Sequence, residues 1–139
     1  MSGNPDLVEQ RLSWSEPGMW AVMALAAVFL CLGGLFIVSP SAGAAIFGIP
    51  APSGVPAGYL RAIGFRDVTL ALYLAGLACF STRRAVCLVL MASVFIPFCD
   101  VILVWMSGSA TFWQIALHGV SGAGLVLIAA WISLSAKRA

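Results

Sequence analysis

The chain has 139 residues, of which 62% are hydrophobic and only 9% are charged, and its mean hydropathy is +1.05. Soluble domains carry about 25% charged residues. A core of this size cannot hide so much apolar surface, so the solvent for most of the chain is lipid. The net charge of +2 is too small and too scattered for a nucleic-acid partner.

Residues 1–18, "MSGNPDLVEQRLSWSEPG", are polar and partly acidic. They lack the basic n-region of a secretory signal, so the first span is expected to be retained behind a polar cytoplasmic segment. Ser15, Glu16 and Pro17 mark a helix start, and Trp20 an interfacial anchor. Four apolar runs follow, at about 19–38, 57–80, 85–106 and 111–134. Each meets the ~20 residues needed to cross a ~30 Å hydrocarbon layer. Each is expected to be helical, because a lone span must satisfy its own backbone hydrogen bonds. Residues 135–139 form a basic tail. The fold class is all-α: a multi-pass integral membrane four-helix bundle, in a bacterial inner membrane or its equivalent.

Arg11, Arg83, Arg84, Lys137 and Arg138 lie on one side of the spans, and the loops on the other side hold no Lys or Arg. The positive-inside rule then places both termini and the "STRR" turn in the cytoplasm. The long connection from Pro40 to Pro56 contains "AAIFGI", which is apolar but too short to span. It reads either as a surface loop or as a lid over the bundle. Small residues (Gly33 and Gly34; Gly64, Ala71 and Ala75; Gly119, Gly122 and Ala123) mark expected helix contacts. Pro97 is expected to kink the third span near residues 93–96, one turn before Asp100. Cys31, Cys79, Cys87 and Cys99 show no metal-binding spacing and read as small apolar residues of the spans.

The spans also carry Arg61, Arg66, Asp67, Asp100 and His118. Counted from the outer ends, Asp67 lies ~15 Å deep, Asp100 about 9 Å and His118 about 10 Å, at 1.5 Å per residue. Three helices therefore bring ionisable groups to one level. A lone charge at the bilayer centre costs on the order of 2.5–3.5 kcal/mol, which favours pairing inside the bundle. Arg66 or Arg61 is the expected partner of a carboxylate, although Arg61 is also near enough to the interface to snorkel. Gln114 and Gly122 share the His118 face at i−4 and i+4, and Gly122 is expected to leave room beside the imidazole. Tyr73 and Thr69 add hydroxyls further down the second span.

Two carboxylates, a guanidinium and an imidazole in one apolar cavity form the set that acid–base catalysis uses. The catalytic candidates are Asp67, Asp100, His118 and Arg66. Arg61, Tyr73 and Gln114 are candidate substrate contacts. The competing reading is a non-enzymatic transporter or assembly subunit whose buried charges bind an ion or hold helices together. Homo-oligomerisation stays open, and transport by four helices would require it. No metal and no cofactor is expected, since the arginine opposes a cation and no HExxH spacing occurs. The partners are the bilayer and an apolar small molecule.

"YLRAIGFRDVTLAL", then "PFCD" in the third run and "ALHG" in the fourth, resemble the domain-of-unknown-function 4267 family of small four-span membrane proteins. The size and polar pattern are also similar to the small membrane epoxide hydrolases of fungal polyketide pathways, the aurovertin and citreoviridin type. That second resemblance implies catalytic roles for Asp67, Asp100 and His118, and epoxide opening as the reaction.

Overall fold

The computed structural model describes residues 10–49 and 58–135. The prolines of the long connection at 50, 52 and 56, the basic tail beyond Ser135 and most of the polar N-terminal segment lie outside them. The described residues form six helices: α1 (Pro17–Val38), α2 (Pro40–Phe47), α3 (Gly58–Phe80), α4 (Arg83–Ser93), α5 (Phe95–Met106) and α6 (Phe112–Ser135). With α4 and α5 taken as one continuous run, four helices are long and apolar enough to cross a membrane. Large apolar side chains such as Leu72, Phe80, Phe98, Trp105 and Leu127 face outward. Lipid is the medium in which such a surface is at rest. The chain is thus a multi-pass membrane bundle.

Helix starts follow local chemistry. Pro17 and Pro40 open α1 and α2, where the missing N–H costs nothing. Thr82 caps α4 by accepting from the Ala85 N–H at 3.3 Å. The expected break in the third span is present. α4 ends at Ser93, Val94 is a turn, and α5 resumes at Phe95, because Pro97 has no N–H to give the Ser93 carbonyl.

Packing in lipid gains little from hydrophobic burial and depends on close contact. α1 and α3 meet backbone to backbone. A methyl group on Gly33 would stand 2.7 Å from the Gly64 carbonyl oxygen, and one on Gly64 would stand 2.7 Å from that of Gly33. Gly34 and Gly119, read from the sequence as contact residues, instead face open space. At the other end, Met19, Val22, Leu74, Leu90, Leu125 and Ile132 fill a dense core. There Arg83, buried, pairs with Glu16, and its backbone N–H donates to the Gln10 carbonyl at 2.9 Å. Arg11 forms an isolated bridge with Thr82. The segment before α1 and the α3–α4 turn therefore share one end of the bundle. The opposite half is less tightly filled, and α2 folds back over it.

Candidate functional site

α2 positions the site. Its eight residues end at Phe47 and are capped by Gly48, whose φ of 100° only glycine adopts at ease. The last carbonyls of a helix have no partners within it, and here α6 supplies them. The Gln114 side-chain amide donates to the Ala45 carbonyl at 2.6 Å, and His118 Nε2 lies 2.9 Å from the Phe47 carbonyl. Gln114 and His118 sit one turn apart, so one face of α6 holds two carbonyls of α2. Over its described part the long connection is a helix that places Ile46 and Phe47 on the cavity wall. The Phe47 ring also packs edge-on against the imidazole, with centroids 4.7 Å apart.

Beneath α2 lies a cavity of about 240 Å³. Its walls are mostly apolar and include Phe29, Phe36, Phe47 and Pro97, while Asp67, Arg66, Asp100 and His118, with Ser121, supply the polar surface. Asp67, Asp100 and His118 are 5%, 7% and 8% exposed. The Arg66 side chain is 39% exposed, so it forms an edge of the cavity. Arg66 Nε donates to Asp67 Oδ1 at 3.0 Å, and its Nη1 is 3.9 Å from Asp100 Oδ1. Asp100 Oδ2 is in turn 3.8 Å from His118 Nδ1. The four groups form a chain, Asp67–Arg66–Asp100–His118, drawn from α3, α5 and α6.

The Phe47 carbonyl can only accept, so His118 Nε2 carries a proton. Nδ1 is then the nitrogen turned toward Asp100. A shift of about 1 Å would bring Nδ1 and Oδ2 to hydrogen-bond distance, where a proton can pass between them. The chemistry open to this arrangement is proton donation at one end and proton acceptance at the other.

The three other candidates lie elsewhere. Arg61 donates from Nε to the Ile37 carbonyl at 3.4 Å, on an exposed surface near the end of α1. Tyr73 is 62% exposed and points away from the bundle. Gln114 is occupied by the Ala45 carbonyl and by Thr111, whose N–H and hydroxyl donate to its Oε1 at 2.7 and 2.8 Å. None of the three is a wall of the cavity. Gly122 faces Pro97, with room for a methyl at 3.4 Å, and it borders the same depression as His118, so the expected space beside the imidazole is present. Thr69 donates to the Phe65 carbonyl of its own helix. Sequence reasoning gave no role to Phe47. Pro40 and Gly48 bracket its helix with a start and a stop signal that could have found it. Among the described residues, no three His, Cys, Asp or Glu side chains are placed to hold a metal ion.

Fold and site together define a small four-span membrane protein that buries charged side chains in an apolar cavity. It belongs to the family described as "Domain of unknown function (DUF4267)", whose family model matches residues 26–132. That stretch contains Arg66, Asp67, Asp100 and His118. No curated protein and no solved structure matches the chain, so the likeness to fungal epoxide hydrolases gains nothing from these comparisons.

Proposed function

We propose that this protein is a membrane enzyme that opens an apolar epoxide by acid–base chemistry at Asp67, Arg66, Asp100 and His118. The observation that carries this reading is the convergence of these four side chains, from three helices, on one apolar cavity. In the proposed reaction the Asp100–His118 couple gives a proton to the epoxide oxygen as a C–O bond breaks. Asp67, held by Arg66, takes a proton from water, whose oxygen bonds to the released carbon. The proton on Asp67 then returns to the couple, and the product is a diol. If a hydroxyl of the same molecule replaces water, the product is a cyclic ether and the reaction is an isomerisation.

The geometry of the ion pairs counts against a purely structural role. Arg66 and Asp67 are neighbours on one helix, so their bond joins no two helices. The contacts that do cross helices, at 3.9 and 3.8 Å, are too long for hydrogen bonds. Glu16 and Arg83, by contrast, form a tight pair that ties the segment leading into α1 to α4. A set of charges kept as glue would resemble that pair.

The test is purified protein in detergent or lipid with terminal, internal and hydroxyl-bearing apolar epoxides. Diol or cyclic ether should form above the protein-free rate. Rates equal to protein-free lipid across all three classes would overturn the proposal. We further propose that the end carrying Arg11, Arg83 and Arg84 faces the cytoplasm. A reporter fused after Ala139 should then be active only as a cytoplasmic fusion, and activity on the opposite side would reverse the orientation.

A further inference from the structure

The cavity is too small for the whole of a sizeable substrate. Its 240 Å³ falls below the ~300–1,000 Å³ of pockets that enclose a drug-sized ligand. Any larger molecule reacting there must leave its remainder elsewhere, and a second depression offers the place. It has a volume of about 310 Å³ and lies between α5 and α6. Gly119, Gly122 and Ala123 form one side, and Phe98 and Val101 the other. Gly119, Ala123 and Phe98 are exposed, so the groove opens on the lipid-facing surface. On α6 it runs from His118 to Val126, about 12 Å at 1.5 Å per residue.

Two residues belong to both spaces. Pro97 and His118 are walls of the cavity and of the groove. His118 therefore stands at the boundary, one ring nitrogen toward Asp100 and the other on the Phe47 carbonyl. Gly119 and Gly122 contribute no side chains to its α6 wall, which leaves an apolar channel open along the helix for a strand of hydrocarbon.

We infer that the substrate is a linear long-chain alkyl epoxide with its oxygen near one end. The epoxide end enters the cavity at Asp100 and His118, and the tail lies past Pro97 in the α5–α6 groove. This rests on the reaction proposed above. Entry is sideways from the bilayer, where such a molecule dissolves.

Gly119→Phe tests the groove. A side chain at Gly119 would meet no atom within 4 Å at its first carbon, so the variant can fold while its ring fills the groove. Gly124→Phe is the control, because Gly124 also faces open space but lines neither depression. The readout is chain-length selectivity, kcat/KM for a sixteen-carbon terminal epoxide over that for a four-carbon one. Gly119→Phe should lower this ratio by about tenfold or more, the scale of methylene discrimination in apolar pockets, whereas Gly124→Phe keeps the wild-type ratio. An unchanged ratio in Gly119→Phe overturns the inference.

A second measurement does not depend on turnover. A sixteen-carbon epoxide carrying a diazirine in its tail should photolabel peptides of α5 and α6 around Phe98 and Gly119. Excess unlabelled long-chain epoxide should compete, and Gly119→Phe should label less. Labelling spread evenly over all lipid-facing helices, as for adventitious lipid, overturns the groove. Focused, competed labelling with no turnover by the wild type retains the groove as a binding site and removes the reaction.

Discussion

Gly33→Ala is expected to destabilise the protein sharply, while Gly34→Ala, one residue away, leaves it as stable as the wild type or slightly more so. The added methyl on Gly33 would sit 2.7 Å from the Gly64 carbonyl oxygen and 2.8 Å from the Val68 backbone nitrogen. Those atoms are backbone and cannot rotate aside, so the two helices must move apart. Overpacking of this kind costs about 1–3 kcal/mol and occasionally more. At Gly34 nothing lies within 4 Å, and alanine is the better helix former. Gly64→Ala is expected to match Gly33→Ala, since each glycine faces the other's carbonyl. Asp67 lies three residues after Gly64, so separation of the helices would also carry its carboxylate away from the cavity. Thermal unfolding in detergent, followed by circular dichroism, reads the difference. Equal stability of the Gly33 and Gly34 variants would mean that α1 and α3 do not approach as closely as described.

Asp100→Asn is expected to keep the fold and to lower epoxide turnover by roughly 10²–10⁴, the usual contribution of a positioned acid or base. The amide keeps the size of the carboxylate but can neither give nor take a proton at working pH. Asp100 stands between Arg66 and His118, at 3.9 and 3.8 Å, and so links the guanidinium to the imidazole. His118→Gln should act similarly, because glutamine can still donate to the Phe47 carbonyl but offers no ring nitrogen to Asp100. Asp67→Asn should also act similarly. If Asp100 instead glued the helices together, the loss would appear in stability. Breaking a buried ion pair costs about 3–5 kcal/mol, because the partner charge is stranded. The two outcomes separate on one preparation by measuring turnover and unfolding together. Folded variants that keep full activity would remove these residues from the mechanism.

Hydropathy made the four spans legible, and proline chemistry made the break at Val94 legible. Counting residues from the span ends also brought Asp67, Asp100 and His118 to one level, and the cavity contains all three. Direction around the helix, which depth does not give, separates two other candidates from this cavity. Arg61 and Tyr73 are six residues before and after Asp67. At 3.6 residues per turn, each is rotated about 120° from it, on opposite sides. Neither can share its face, and a helical wheel would have said so. Gln114 was assigned correctly to the His118 face, but that face has two tasks. Its work of holding the α2 carbonyls was invisible, because a backbone carbonyl leaves no trace in side-chain identity. The folding of "SAGAAIF" into a helix over the cavity was hidden by its low polarity. Pro40 before it and Gly48 after it were the signals to weigh.

The placement of Arg66 beside Asp67 on α3 bears on how the chain enters the membrane during synthesis. Each spanning segment leaves the translocon in order, and a charge without a partner resists that step by ~2.5–3.5 kcal/mol at the helix centre. Arg66 and Asp67 are already bonded within their own helix, so this segment needs no later one to compensate it. Asp100 has no cation on α5, but when it emerges Arg66 is already in the bilayer. His118 arrives last, on α6, and completes the site. In chain order, Arg66 therefore precedes Asp100, the carboxylate that has no cation on its own helix.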